Sequence, residues 1–275
     1  MSSPFPLLRL PRVVLFEVFK SLKIREKIRL SRCSKKISIQ IDCARLYSQK
    51  VKVHLDCLKR KITVCSENDK DVYRAIKNRK GFLSFIQHIL KMFPCKILTS
   101  DRCYQSDLFQ PTISYLLDQQ VEFSALTIRL AQILLFEQIS NNFGLIENLK
   151  IISVANFGFR PVSSSWPQQI SIKSSYWFTL ESLLACTCTS ITLEESRLEN
   201  KDLDEIYRKW RAGELPNLKY LKIHSLSFTD NGDHVLGRNL MELDGMIIQT
   251  DDGSKKATIK LQLFWMIEMN VTPLE

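Results

Sequence analysis

No part of this chain is apolar for long enough to cross a membrane. A spanning helix needs roughly 20 consecutive apolar residues, and polar or charged residues interrupt the apolar stretches before that length. A secretory signal is also missing, because Arg9 and Arg12 break the segment where such a signal has a continuous apolar core. We therefore expect a soluble protein inside the cell, in the cytoplasm, the nucleus or both.

Motifs of common enzymes and metal sites are absent as well. With 8 glycines and 4 histidines, the chain has no Gly-x-Ser-x-Gly turn, no glycine-rich phosphate loop and no histidine pair at metal-ligand spacing. The acidic turns at Asp230 and Asp251 contain Gly or Asn, but the ligand array of a calcium loop does not follow them. We expect no enzymatic activity, no cofactor and no metal ion.

The 8 cysteines do not have the spacing of a zinc site or of a disulfide framework. Cys186 and Cys188 form the only close pair, and neither a second pair nor a histidine cluster accompanies them. In a chain without an export signal, reduced thiols are the expected state. The sequence therefore predicts no disulfides.

Positive charge is concentrated near the N-terminus. Residues 1–61 contain 16 Lys or Arg against 4 acidic residues, whereas the remainder contains 23 against 25. A basic helical segment indicates either nucleic acid or an acidic protein as the partner. The cations are scattered and no Arg, Asn and Gln cluster for reading bases is evident. We therefore favour a protein partner, and a nucleic-acid-binding module stays the alternative.

The segment that begins at Pro11 has the pattern of an amphipathic helix. Proline fits the first turn of a helix, because its missing N–H would have no partner there. From Leu15 onward, apolar residues occur at i, i+3, i+4 and i+7, which places them on one face. The residues are Leu15, Val18, Phe19 and Leu22. Two or three short helices are expected up to residue 45.

This succession resembles an F-box. The matching positions are Leu10-Pro11, Leu15, Val18-Phe19, Leu22, Ile28, Leu30, Cys33-Ser34-Lys35-Lys36, Ile37 and Ile41. Segments 25–31 and 33–38 narrow the resemblance to the large nematode family of F-box proteins that carry a type 2 F-box-associated domain. Many F-boxes have a large aromatic residue after the basic pair, whereas this chain has Ile37.

The resemblance implies a non-catalytic substrate-recognition subunit of a Skp/cullin/F-box ubiquitin ligase. The helices would dock on a Skp-type adaptor, which connects them to a cullin-RING ligase, and the rest of the chain would bind an unknown protein target. Some of the apolar residues must pack inside the module instead. The expected adaptor-binding residues are Leu10, Pro11, Leu15, Val18, Phe19, Leu22 and Leu30.

Strand and helix patterns alternate after the F-box. Period-two alternation near residues 51–55 and 62–64 predicts a hairpin, followed by a surface turn. Further strands are expected at 95–99, 125–129, 149–154, 190–194, 218–223 and 246–249, and helices at 82–93, 130–141, 178–185 and 202–212. This organisation predicts an F-box module (4–50), a β-hairpin connector (51–66) and an F-box-associated domain (67–275).

The segments 146–151 and 215–223 resemble degenerate leucine-rich-repeat strands. We therefore predict an α/β fold in which the helical module precedes an irregular leucine-rich-repeat-like solenoid, with a compact mixed-sheet α/β domain as the alternative. Outward strand positions would bind the target. By alternation these are Lys150, Ile152, Val154, Thr192, Glu194, Lys219, Leu221 and Ile223, and a slip of one residue would exchange them for buried positions. An aromatic loop at 157–167 either contacts a partner or caps the sheet edge through Trp166.

Overall fold

Helices and strands alternate along the chain in the structure, which is a computed structural model. It describes residues 7–44, 50–68, 70–130, 133–154, 165–230, 233–262 and 265–274. The helices are α1 (Arg12–Ser21), α2 (Ile24–Cys33), α3 (Lys35–Cys43), α4 (Arg79–Met92), α5 (Phe109–Asp118), α6 (Ile133–Ser140), α7 (Leu180–Leu184) and α8 (Asn200–Arg211). The chain divides into two units, residues 1–124 and 125–275.

The strands also divide between these units. Those that begin in the first unit are β1 (Val51–Asp56), β2 (Lys61–Ser66), β3 (Val72–Ile76), β4 (Cys95–Thr99) and β5 (Phe123–Leu130). The second unit contains β6 (Ile146–Val154), β7 (Gln169–Ile172), β8 (Ser190–Ser196), β9 (Tyr220–Ser225), β10 (Ile247–Gln249), β11 (Lys255–Gln262) and β12 (Met266–Pro273).

The first unit contains a mixed sheet with the order β4-β1-β2-β3. Strand β1 is parallel to β4 and antiparallel to β2, and β3 continues the sheet antiparallel to β2. Alternate residues of β1 are buried, namely Val51, Val53 and Leu55. This period of two confirms the predicted hairpin of β1 and β2, to which the structure adds β3 as a third strand.

In the second unit, β6, β7, β8 and β9 are successive in sequence, adjacent in the sheet and parallel. Strands β12, β11 and β10 extend this sheet antiparallel beyond β9. The predicted mixed α/β class with N-terminal helices is therefore confirmed. No helix among the described residues has the length and apolar character needed to cross a membrane.

Helix α8 has the buried face that its sequence predicts. Leu203, Ile206, Tyr207 and Trp210 are all buried, and Gly213 follows the helix with a φ of 81°, which glycine adopts readily. Asn200 has a side chain that is favoured at helix N-caps, but it lies inside the first turn of α8. Glu199 is the N-cap, while the Asn200 side-chain amide donates to the Thr229 carbonyl at 2.7 Å and ties the following loop to the helix.

Several elements that the sequence pattern did not predict have identifiable reasons. Strand β3 has no buried residue, so its sequence lacks the apolar alternation that marks a strand. Helix α5 contains Pro111, which is tolerated because it lies in the first helical turn. The hairpin of β11 and β12 follows the acidic turn at Asp251, where only a turn was predicted.

The predicted register of β9 is wrong. Leu221 and Ile223 are buried, so the alternation places Tyr220, Lys222 and His224 on the other face of the sheet. A slip of one residue exchanges the two faces of a strand, which explains the error.

Two further predictions concern side-chain chemistry. Cys57 and Cys103 lie side by side, with 4.9 Å between their Cα atoms, so the structure pairs two cysteines where the sequence predicted no pair. Their separation of 46 residues gave no sequence signal. Trp166 stacks on Phe143 with 5.7 Å between ring centroids and meets Phe178 edge-on at 6.2 Å. Residues 157–164 of the predicted aromatic loop lie outside the described residues.

The Tyr207→Phe substitution tests the core of the second unit. The Tyr207 hydroxyl is fully buried and has no hydrogen-bond partner among the described residues, and burial raises its pKa. Removing an unsatisfied buried hydroxyl relieves a desolvation cost of about 1 kcal/mol or more. We expect the free energy of unfolding, measured by urea denaturation, to stay equal or rise. A clear loss of stability would show that the hydroxyl is bonded.

Candidate functional site

Pro11 sets the start of the first helix of the candidate site. It is the N-cap of α1, with φ −54° and ψ 143°, and its carbonyl accepts the Leu15 N–H at 2.9 Å. The helix begins at Arg12, one residue after the proline. The predicted start is therefore confirmed, and Pro11 contributes an acceptor without leaving an unpaired N–H.

Helix α1 has two apolar stripes side by side. Leu15 and Phe19 are 3% and 2% exposed and face the interior. Pro11 is exposed, Val14 is 45% exposed and Val18 is half-buried. These three are spaced i, i+3 and i+7, so they line one side of the helix next to the buried pair. We call Pro11, Val14 and Val18 the outer stripe.

The predicted adaptor-binding residues are thus distributed between interior and surface. Leu10, Leu22 and Leu30 are half-buried, and Leu22 is the C-cap of α1. The prediction omitted the exposed apolar residues Val14 and Ile39. The spacing of Pro11, Val14 and Val18 was available in the sequence as a signal, whereas nothing in the sequence showed which of two adjacent stripes is buried.

The surface of the three N-terminal helices is strongly basic. Exposed cations on α2 and α3 include Arg25, Arg29, Arg32, Lys35 and Lys36. Two acidic residues on α1 and α2 already have partners. Glu17 pairs with Lys20 at 2.7 Å, and Glu26 accepts the Lys23 N–H at 2.8 Å. An apolar stripe on a basic helical module fits a partner that is apolar at its centre and acidic around it.

An acidic side chain in the β2–β3 turn holds the N-terminus of α2. The Asp71 carboxylate accepts the Ile24 N–H at 2.5 Å, where the positive end of the helix dipole favours an anion. Lys27, one turn later, is 1% exposed, and its Nζ lies 5.9 Å from the centroid of the Phe93 ring. Burial lowers the pKa of Lys27, and the charge of Asp71 opposes that shift. These contacts fix the helices to the first unit's sheet.

A second polar contact joins α2 to α4. Ser31 Oγ lies 2.8 Å from His88 Nε2, and the Ser31 hydroxyl donates to the Ile28 carbonyl at 2.9 Å. The direction of the serine–histidine bond depends on which ring nitrogen of His88 carries the proton. Burial lowers the pKa of His88, and Arg32, Lys77 and Lys91 lower it further against the opposing charge of Asp42.

Comparison with known protein families matches two parts of the chain. The F-box domain matches residues 7–49, which contain the three helices and the outer stripe. The F-box associated family matches residues 162–223, which contain β7, α7, β8, α8 and most of β9. This chain carries an F-box and an F-box-associated domain.

The comparisons confirm that the resemblance covers both an F-box and an F-box-associated domain. An F-box followed by an F-box-associated domain is typical of the substrate receptors of Skp/cullin/F-box ubiquitin ligases, which are generally non-catalytic. No curated protein and no solved structure matches the chain.

Truncating the two neighbouring stripes of α1 should have unequal effects on stability. Leu15→Ala removes a buried side chain and leaves a cavity, so we expect a loss of about 2–4 kcal/mol in the free energy of unfolding. Val14→Ala, one residue away at a half-exposed position, should cost less than about 0.5 kcal/mol. Urea denaturation of both variants measures this difference, and equal losses would contradict the assignment of the stripes.

His88 should make the first unit sensitive to mild acid. Its pKa is lowered from the usual 6.5, so the folded chain binds the proton less readily than the unfolded chain does. Its contribution to stability is therefore present above about pH 6.5 and is lost as the pH falls below that value. We expect an imidazole titration midpoint below 6.5 by NMR, and a smaller loss of stability in acid for His88→Gln. A midpoint above 6.5 would contradict this sign.

Proposed function

We propose that the chain is the non-catalytic substrate-recognition subunit of a Skp/cullin/F-box ubiquitin ligase, in the cytoplasm or the nucleus. The observation that carries this proposal is the F-box match over a helical module whose outer stripe stays at the surface. We also propose that the chain belongs to the nematode family with a type 2 F-box-associated domain, divided as 4–50, 51–66 and 67–275.

The proposed adaptor-binding surface follows from the burial of α1. Leu15 and Phe19 are interior and act by keeping the helix in place. Leu10, Leu22 and Leu30 stay in the proposed surface, since each is partly accessible. The outer stripe forms the centre of the proposed adaptor-binding surface. It adds Val14, which the sequence prediction had omitted. A module of this size has little core of its own, so an apolar stripe that a partner covers is physically reasonable.

The target would bind the F-box-associated domain. We propose that β6–β9 act as an irregular leucine-rich-repeat-like array, because successive parallel strands that stand next to one another are the arrangement of a solenoid. Cross-strand register aligns one row of polar residues across the sheet: Lys150, Ser171, Thr192, Lys222, Glu268 and Lys260. Glu268 pairs with Lys222 at 2.8 Å within this row, which presents charge of both signs to a protein target.

A non-catalytic receptor acts by positioning. It holds the target next to the ligase and so raises the effective concentration of the target there. The chain would therefore need only two binding surfaces, one for the adaptor and one for the target. The ubiquitin-transfer step would belong to enzymes that the cullin recruits.

Co-purification with a nematode Skp-type adaptor tests the adaptor surface. Val14→Asp combined with Val18→Asp places two charges on the outer stripe and should weaken adaptor binding at least about tenfold, because burying an unpaired charge costs more than 1.4 kcal/mol. Circular dichroism checks that the variant keeps its helices. Binding is measured by titration with the purified adaptor.

Val13→Asp is the matched control. Val13 is 74% exposed and points away from the outer stripe by about a quarter turn or more, since successive helical residues differ by about 100°. Its substitution should leave adaptor binding within about twofold. Equal binding by all three proteins, or no complex with folded wild type, would contradict the proposal. Steep salt dependence of RNA or DNA binding, lost on neutralising Arg25 and Arg29, would favour the nucleic-acid alternative.

A further inference from the structure

Strand β3 ends the sheet of the first unit and has an open edge. Its one neighbour among the described strands is β2. The Ser66 N–H donates to the Asp71 carbonyl at 2.9 Å, and the Lys77 N–H donates to the Arg60 carbonyl at 3.0 Å. In an antiparallel ladder, bonded residues alternate with residues whose peptide groups point away from the partner strand.

This alternation assigns the peptide groups of β3. Residues 71, 73, 75 and 77 face β2, whereas Val72, Arg74 and Ile76 direct both N–H and C=O outward. We call Val72, Arg74 and Ile76 the open edge. Their side chains share one face of the sheet, because they are spaced by two residues. Ile76 is 78% exposed, Arg74 is exposed and Val72 is half-buried.

The charges around the open edge are positive. Lys61 lies directly opposite Ile76 on β2, on the same face as Arg74, and Lys59 and Arg60 occupy the adjoining turn. Two of the nearby acidic residues already accept backbone hydrogen bonds. Asp71 accepts the Ile24 N–H, and Asp56 accepts the Lys59 N–H at 2.9 Å. An incoming strand would therefore meet a cationic centre with an exposed apolar side chain next to it.

We propose that the open edge binds an extended acidic segment of a partner protein, which adds to the sheet as a further strand. Main-chain hydrogen bonds to Val72, Arg74 and Ile76 supply affinity in this mode, and the alternate side chains supply specificity. The segment places an acidic residue opposite Arg74 and an apolar residue two positions to either side, opposite Val72 and Ile76. Because the pattern is symmetric about the acidic residue, it fits a segment that runs either parallel or antiparallel to β3.

Self-association through the same edge is disfavoured by charge. A second copy that paired antiparallel and centred on this strand would place Arg74 directly opposite Arg74, and like charges in that position are destabilising. A cation at an edge strand is one way in which proteins prevent indiscriminate pairing. The same cation attracts a strand that has an acidic residue at the opposite position. It therefore favours an acidic partner strand over a second copy of this chain.

A synthetic peptide tests this proposal with the full chain. The peptide carries one glutamate flanked by two valines, each separated from it by a threonine, and a fluorophore reports binding by anisotropy. We expect saturable binding to wild type. Arg74→Glu should weaken it roughly tenfold, because a cross-strand attraction becomes a repulsion. Ile76→Pro should also weaken it, since proline removes an outward N–H without touching the ladder to β2.

The matched controls change charge without changing the edge. Arg102→Glu alters the net charge equally at an exposed turn after β4 and should leave binding within about twofold. A peptide with lysine in place of glutamate should bind weakly. Amide hydrogen exchange supplies the second readout, because peptide should slow exchange at Val72, Arg74 and Ile76.

Several results would overturn the proposal. They are the absence of saturable binding, affinity unchanged by Arg74→Glu and Ile76→Pro, or protection of amides elsewhere in the chain. A dimer in light scattering that Ile76→Pro dissociates would also overturn it, since the occupant of the edge would then be a second copy. The adaptor surface plays no part in these measurements, so they stand independently of the proposed function.

Discussion

The burial of Leu15 and Phe19 determines what the N-terminal helices can offer to a partner. Each buried side chain of this kind contributes about 1.5–3 kcal/mol, which fixes the rotation of α1 about its own axis. Once that rotation is fixed, Val14 and Val18 have to lie beside the buried pair and toward the surface. The bond from the Ile24 N–H to Asp71 then holds the next helix against the same unit. The exposed stripe is thus a consequence of the core rather than a separate feature.

Side chains along a strand point alternately to the two faces of the sheet, so the sheets are also divided into a buried face and a more accessible face. In β8 and β9, Leu193, Leu221 and Ile223 are buried, which leaves Thr192 and Lys222 aligned on the opposite face. One face therefore supplies stability, and the other carries polar side chains that are only partly buried. Strand β3 departs from this rule because β2 is its one neighbour among the strands that the structure describes. Its outward N–H and C=O groups can therefore form main-chain hydrogen bonds, which a surface made of side chains alone does not offer.

The sequence was sufficient where a local pattern decides the outcome. Pro11 predicted the start of α1, and the spacing of Leu203, Ile206 and Trp210 predicted the buried face of α8. It was insufficient where the outcome depends on residues distant in the chain. Cys57 and Cys103 meet only after β1 and the segment beyond β4 have folded, and β3 forms because β2 is there to pair with it. Val14 lies between these two cases. The sequence predicted its helix, but which of the two apolar stripes is buried depends on the residues that pack against the helix.

The two proposed surfaces of the first unit use positive charge for different purposes. Cations on α2 and α3 surround an apolar stripe, so their field would raise the rate of encounter with an acidic adaptor, while the stripe would supply most of the affinity. At the open edge, Arg74 stands in the middle of the binding residues and would meet its counterpart at a fixed register. Salt should therefore weaken the two interactions differently. Screening slows association at the helices, whereas at the edge it removes part of the selectivity and leaves the main-chain hydrogen bonds in place.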